Sequence, residues 1–467
     1  MRAPFVLAAT SREWRVIALR TGSLWTYIGI PSLMYNTYFG PKAPRMMGTV
    51  ILFRNFVRRW FRTIRLILDR SRGAPLEVYL PKFTLQPRVP LMTLWTRWRG
   101  GREGFNFHRQ TLKELSMHLH HIRSINMAFT STPLAVWECL QSAAKLKSGT
   151  LEAPMLEQLV IENCQSNTEV PVTGMRPPDQ TLDAPNLRIC ILPRGSETFI
   201  LRPTSVESPT QFALTRLEIY IDSTTYSYIL PVLKACAGIL KQLVLSPSYV
   251  GPPSAVQGQT IVLKSLQTFS LDACRISHID VANLMKTLTV PCIRSAEFTF
   301  GPTEEALLSP PPPGINRRTT ARAALQAFLK ALPTTSTEVI SLSIGYNMAL
   351  SVDHARTLLI NFPILRNVTI SHPTRIDPGF LGLIGQHVVY GLGGVPRNLR
   401  VHLSGVTVML PSNGSFADLV REGGGNLYVY VHDPQERDWN SFIPEVMWWH
   451  DVGDAWVEWT DQRLSYF

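Results

Sequence analysis

The sequence predicts an α/β solenoid on three observations: an apolar hexamer that recurs at nearly constant spacing, helix-patterned segments that alternate with it, and turn-forming residues at a fixed offset after it. The hexamer, apolar-x-x-apolar-x-apolar, begins at Leu214, Leu240, Leu266 and Ile293, so that successive starts are almost evenly spaced. Its members are Leu214, Leu217 and Ile219, then Leu240, Leu243 and Leu245, then Leu266, Phe269 and Leu271, then Ile293, Ala296 and Phe298. Such a unit is a short strand plus a return segment. Neither can bury its apolar face alone, so neighbouring units must stack.

Extended outwards, the hexamer fits Leu156, Leu159 and Ile161, then Leu187, Cys190 and Leu192, then Val339, Leu342 and Ile344, then Leu365, Val368 and Ile370, with a weaker fit at Ile122, Ile125 and Met127. The ninth position holds Cys164, Cys274 or Asn347 in three units. These residue types bond otherwise unpaired backbone where a strand turns away. Residues 120 to 405 thus resemble a leucine-rich repeat protein, which implies an irregular horseshoe of strands and return helices. Helix-patterned segments near Pro133 to Lys147, Tyr226 to Ala237, Ile279 to Leu288, Ala321 to Leu332, His354 to Asn361 and Phe380 to Tyr390 supply the alternation.

The chain has 467 residues, 45% of them hydrophobic, enough for a large core, and a repeat architecture overrides the usual length prior for domain number. Residues 1 to 110 hold 19 Lys and Arg against 4 Asp and Glu, a net of +15, so the remaining 357 carry −3. The six cysteines, at 139, 164, 190, 236, 274 and 292, show neither zinc-ligand spacing nor a tight disulfide pattern. They read as reduced, mostly buried thiols of a cytoplasmic or nuclear protein. No apolar run is long enough for a membrane span, and the run Ala3 to Ala9 meets Arg12, Glu13 and Arg15 too soon for a signal peptide.

In residues 3 to 28, Leu7, Trp14, Ile17, Ala18, Leu24 and Trp25 form the apolar set of a helix ending near Thr21 and Gly22, followed by a short Leu-Trp helix or turn. The run Arg12-x-Trp14-Arg15-x-Ile17-Ala18 with Leu24-Trp25 resembles the second half of an F-box. The strand patterns Leu76 to Leu80 and His121 to Met127 resemble those that follow the box in the F-box-like leucine-rich repeat proteins abundant in mushroom-forming (basidiomycete) fungi. That resemblance implies the substrate-recognition subunit of an SCF-type cullin-RING ubiquitin ligase. Leu7, Trp14, Ile17, Leu24 and Trp25 would bind the adaptor subunit, and the concave strand face would hold a protein substrate. The first half of the box, a Leu-Pro pair and an acidic-apolar helix, has no counterpart from Met1 onward. The expectation is therefore a truncated box, either a remnant or one whose start lies upstream.

Residues 50 to 69 pattern as a basic amphipathic helix, with Phe53, Val57, Trp60, Ile64 and Ile67 on one face and Arg54, Arg58, Arg62 and Arg65 on the other. It reads as a helix packed on the first end of the repeats with solvated arginines, ahead of an anionic-surface helix. Between Ile293 and Val339 the step stretches well beyond the others, and the excess holds Pro310 to Pro313 and Arg317-Arg318, a Pro-rich insertion near 301 to 320. Ser415 to Glu422 patterns as a helix stopped at Gly423 to Gly425, and Leu427 to Val431 as a strand. Trp439, Trp448, Trp449, Trp456 and Trp459 fit a cap over the last repeat better than a carbohydrate platform. The expected organisation is 1–30, a partial F-box-like segment; 31–110, a basic linker, helix and N-terminal cap; 111–405, the repeats; and 406–467, a Trp-rich C-terminal cap.

Chemical motifs are lacking. No nucleophile elbow, zinc-protease helix or phosphate loop occurs, Gly391 to Gly394 having no lysine-serine partner. His118, His120 and His121 have no carboxylate or cysteine nearby in sequence to complete a metal set. The chain is expected to be a non-catalytic interaction protein without cofactor or metal. The alternative to the ligase receptor is a stand-alone leucine-rich repeat scaffold with no ubiquitin role. Nucleic acid, drawn by the basic first quarter with Trp60, Trp95 and Trp98 among its arginines, is not an expected partner, because no recognised nucleic-acid fold accompanies the charge.

Overall fold

A computed structural model describes residues 3–29, 48–80, 111, 114–129, 150–163, 181–192, 213–221, 226–247, 260–274, 276, 278–301, 317–345, 348–371, 374–377, 379–380, 383–384, 399–404, 407–408, 427–432 and 457–458. They fall into two compact units, Met1–Tyr220 with Ser227–Cys236, and Ile221–Tyr226 with Ala237–Phe467. The fold is α/β and built on a large parallel sheet whose strands follow one another in chain order. Parallel neighbours cannot be joined by a tight hairpin and need a long crossover. The recurring sequence step is long enough to supply one strand and one such crossover.

The first unit opens with helices α1 (Ala3–Thr10) and α2 (Arg12–Arg20), a 3-10 turn (Gly22–Trp25) and strand β1 (Tyr27–Gly29). The expected single helix is two, because Ser11 is extended and its hydroxyl accepts the Trp14 N–H at 3.2 Å, capping α2. Strand β1, which carries no repeat pattern, precedes the first strand foreseen from the sequence. After α3 (Gly48–Ser71) come β2 (Leu76–Leu80), β3 (Ile122–Phe129), β4 (Gln158–Asn163), β5 (Ile189–Ile191), β6 (Arg216–Ile221) and α4 (Tyr226–Cys236). The second unit holds β7 (Gln242–Pro247), β8 (Thr268–Asp272), α5 (His278–Thr287), β9 (Ser295–Phe300), α6 (Arg317–Ala331), β10 (Val339–Ile344), α7 (Val352–Asn361), β11 (Asn367–Ser371), β12 (Leu399–Ser404), β13 (Leu427–His432) and β14 (Val457–Glu458). The expected helices at 133–147 and 415–422, most of 380–390, and the Pro-rich stretch lie outside the described residues.

Parallel sheets ordinarily bury both faces and read as continuous apolar runs. Here the strands alternate: Leu217, Ile219 and Ile221, or Ile340, Leu342 and Ile344, are buried, while the residues between them are half-buried. One face is therefore the core side. Ala296 is the small member of its column. The space is shared with Phe328 of α6, whose ring lies 4.9 Å from Phe298 and 6.0 Å from Phe269.

The chain turns into three of the strands in the same way. The N–H of Leu156, Leu187 and Leu365 donates to the carbonyl three residues back, of Ala153, Ala184 and Phe362, at 3.1, 3.0 and 3.1 Å. Pro154, Pro185 and Pro363 occupy the next position, where the φ fixed by the pyrrolidine ring is the one the turn requires. One residue into the unit a single carbonyl accepts two N–H groups from the next unit. Glu157 O accepts from Arg188 and Ile189, Lys241 O from Gln267 and Thr268, Arg294 O from Glu338 and Val339, and Glu338 O from Arg366 and Asn367, at 2.8 to 3.1 Å.

This register corrects the reading at Val339. Ala296 pairs with Ile340 and Phe298 with Leu342, so the hexamer is Thr337, Ile340 and Leu342, two residues earlier than the pattern suggested. Strand alternation has period two, so a two-residue slip keeps every side chain on its face. Thr337, fully buried with its hydroxyl donating to Pro333 O at 2.7 Å, stands where a leucine was sought. The pairing also continues beyond residue 405, since Val401 pairs with Val429 and Val429 with Val457, in two equal steps along the chain. Short parallel strands repeat outside the main sheet: Thr150–Glu152 with Thr181–Asp183, Ile261–Val262 with Leu288–Thr289, and Ala349–Leu350, Arg375–Ile376 and Thr407–Val408 in sequence.

Gly22 ties the N-terminal helices to α3. A Cβ there would stand 2.6 Å from the Ser71 carbonyl oxygen, a backbone atom that cannot swing aside. Gly22→Ala is expected to cost about 1–3 kcal/mol, read as a lower urea midpoint with an unchanged denaturant slope.

Candidate functional site

The five residues expected to meet an adaptor do not share one environment. Trp25 is 2% exposed, its indole N–H donates to the Ala18 carbonyl at 2.6 Å, and Phe5 packs edge-on against it at 5.1 Å. It is a packing residue, so it leaves the docking set; the pattern could not separate an apolar residue facing inward from one facing out. Leu24 is half-buried, and the Leu7 side chain lies outside the described residues. Trp14 and Ile17 remain, 49% and 48% exposed, on successive turns of α2 and hence on one helix face.

Local bonds hold that face outward. Ala18, fully buried, and Trp25 fix the opposite side of α2. Arg15 closes the corner between the helices by donating from Nε to the Ala8 carbonyl at 2.8 Å. Val6 and Val16 are also exposed, as are Arg12, Arg15 and Arg20. Contiguous exposed apolar patches are candidates for contact surfaces, whereas singly scattered apolar residues are ordinary.

Helix α3 meets its sequence reading where its side chains are described. Trp60, Ile64 and Ile67 are buried and Arg58, Arg62 and Arg65 exposed. Trp60 donates to the Thr111 hydroxyl at 3.3 Å, and Arg65 makes a two-pronged ion pair with Glu114. Trp60 therefore offers no stacking surface to a nucleic acid; Trp95 and Trp98 lie outside the described residues.

Among the described residues no group of three or more His, Cys, Asp or Glu could hold a metal ion, and no helix is long and apolar enough to cross a membrane. His118, His120 and His121 nonetheless meet, His121 Nδ1 lying 3.1 Å from His120 Nε2, with the ring of His118 5.2 Å from that of His121. Burial, then the charges of His120 and His118, lower the His121 pKa to about 4. Of the described cysteines, Cys190 and Cys236 are buried, Cys274 half-buried and Cys292 exposed, so burial does not extend to Cys292. Burial pushes the Cys236 thiol up to about 12 and raises that of Cys190. Cys274 fulfils the ninth-position expectation, its sulfur accepting the Gly301 N–H of the next unit at 3.3 Å. Asn347 loses that place with the register, because Gly345 now falls there.

His354 carries no signal in the sequence reading. It replaces the usual glutamate of a capping box, Nδ1 accepting the Ser351 N–H at 3.1 Å and lying 2.9 Å from the Ser351 hydroxyl. The pattern Ser351-x-x-His354 is there to be read, but histidine is not the residue the motif is searched with. Its pKa falls to about 4 through burial first and then the nearby charge of Arg322.

No known protein-family model matches the chain, and no curated protein does.

Both lowered histidines act alike on stability. The unfolded chain takes up their protons near the ordinary 6.5 and the folded chain only near 4, so their stability contribution is complete above pH 6.5 and is lost as pH falls toward 4. The expected loss is on the order of 2 kcal/mol per histidine, read from urea midpoints at pH 7 and pH 4.5. His354→Gln, which keeps an acceptor for the cap, should remove about half of it.

Proposed function

We propose that this chain is an F-box-like leucine-rich repeat protein that serves as a substrate receptor of a cullin-RING ubiquitin ligase. The N-terminal helices dock the adaptor and the strand face holds a protein substrate. One observation carries the reading: Trp14 and Ile17 stand exposed on a helix whose other side is anchored by Ala18 and Trp25. Burying such side chains is favourable by roughly 1.5–3 kcal/mol each, so a helix face that local bonds hold outward gains by being covered by a partner. The parallel strands, their nearly even steps along the chain and the single buried face support the repeat solenoid, since each unit finishes its core only against its neighbours.

A receptor of this kind performs no chemistry. It raises the effective concentration of substrate beside the charged conjugating enzyme, and affinity comes from holding two proteins at once. The position-five residues of the second unit's strands, Ser270, Glu297, Ser341 and Thr369, belong to the polar face that the substrate would meet.

The tagged full chain, mixed with purified adaptor, is expected to retain it on an affinity resin. A Trp14→Ala, Ile17→Ala double variant should lower the affinity at least about 30-fold, two hot-spot truncations of about 1 kcal/mol or more each. Its urea midpoint should stay near the parent value. Trp25→Ala is the folding control, expected to lose about 3–5 kcal/mol. Failure of the parent chain to retain adaptor would overturn the ligase reading and leave the stand-alone scaffold.

A further inference from the structure

At the first edge of the sheet, strands β1 and β2 present aromatic rings rather than small polar groups on the outward face. Tyr27 and Tyr79 are 44% and 43% exposed, large values for tyrosines that sit within paired strands. Tyr27 pairs with Glu77 and Gly29 with Tyr79, so the two rings and the Glu77 carboxylate share a patch only two strands wide.

Gly29 determines how the first ring lies. A Cβ on Gly29 would stand 2.6 Å from Tyr27 Cε1, 2.7 Å from its hydroxyl and 2.8 Å from Cζ. The ring of Tyr27 thus leans along its own strand onto the bare backbone of Gly29, the residue that pairs with Tyr79. Its phenol pKa is raised by partial burial, then by Tyr79 and Glu77, as expected of groups at close quarters.

The carboxylate of Glu77 is exposed and has no ion pair among the described residues. Arg123 on the neighbouring strand is bonded to Glu157 at 3.2 Å, and the Glu77 charge adds only a smaller electrostatic contribution to holding its guanidinium protonated. Ser124 and Asn126 of β3 face the same side and pair with Glu77 and Tyr79, adding neutral hydrogen-bonding groups and no competing charge.

The geometry points to a binding site for one arginine side chain of an extended protein segment, formed by the rings of Tyr27 and Tyr79 and the carboxylate of Glu77. A guanidinium suits it in two ways: its flat face stacks on a tyrosine ring, and its edge offers two parallel N–H donors to a carboxylate. Lysine, a compact and strongly hydrated point charge, gains only the second. The site is independent of adaptor docking, which uses Trp14 and Ile17.

The test is a fluorine NMR titration of the full chain carrying 3-fluorotyrosine, with Tyr27→Phe and Tyr79→Phe variants to assign the two resonances. The probes are Nα-acetyl-arginine amide and Nα-acetyl-leucine amide. Both assigned resonances should move with the arginine probe and saturate with a midpoint on the order of 10 mM, the affinity of one stacked, paired cation. The leucine probe should leave them in place. Glu77→Gln should raise the midpoint at least about fivefold. Gly29→Ala, which displaces only the far end of the Tyr27 side chain, should abolish saturation while leaving the urea midpoint and adaptor retention unchanged. Equal shifts with both probes, no shift with arginine, or an unaltered midpoint in Glu77→Gln would each overturn the site.

Discussion

The register of the sheet depends on a carbonyl shared between consecutive units. At several of the joints, one backbone oxygen just before the strand accepts two N–H groups from the unit that follows, as at Glu157, Lys241, Arg294 and Glu338. A carbonyl has two lone pairs, so the arrangement satisfies both and leaves the donors of the incoming turn no other partner. Inward columns then align without further instruction: Phe269 beside Ala296, Ala296 beside Ile340, Ile340 beside Val368. Where a proline occupies the turn, as at Pro154, Pro185 and Pro363, it helps aim the chain at that oxygen. Hydrophobic burial drives the assembly, but it is not directional, and the shared oxygen supplies the direction.

Much of this is legible because the hexamer is a direct imprint of the buried face. Leu156, Leu187, Leu214, Leu240, Leu266 and Ile293 all lead into strands, and all are buried. Legibility fails where a residue other than leucine does the same work. Thr337 hides the start of its unit by satisfying its hydroxyl locally at Pro333, and the alternation of β10 then offers a false start two residues later. Strand β1, Tyr27–Gly29, is too short for a pattern to register. The strand at Val429 is read from the sequence, but its place in the series, and Val457 altogether, escape notice because a cluster of tryptophans gives that region another reading, although the even spacing from Val401 is in plain view.

The N-terminal face shows the complementary limit. Sequence periodicity tells which residues are apolar, not which are covered, and a tryptophan serves either purpose. Trp25 and Trp60 are buried with their indole N–H groups satisfied, by Ala18 and by Thr111, whereas Trp14, on an equally apolar stretch, faces out. The difference arises from contacts far along the chain, such as the close approach of Gly22 to Ser71. The pair Tyr27 and Tyr79 is illegible for the same reason. Their proximity exists only because strands well separated in sequence are neighbours in the sheet.

The shared carbonyl also bears on how such a chain can change over evolutionary time. The two donors and the accepting oxygen of the shared joint are backbone atoms, and side chains such as Asn186, Ser265 and Ser336 add bonds beside it, so the paired bonds themselves do not depend on which side chains follow. The steps already vary: the connection from Ala296 to Ile340 is far longer than that from Phe269 to Ala296, yet both joints close with the same pair of bonds. Lengthening a connection or duplicating a unit therefore requires no compensating substitution at the joint, and loop extension itself costs little. Selection on the outward residues can proceed strand by strand, with the inward columns and the backbone joints held constant.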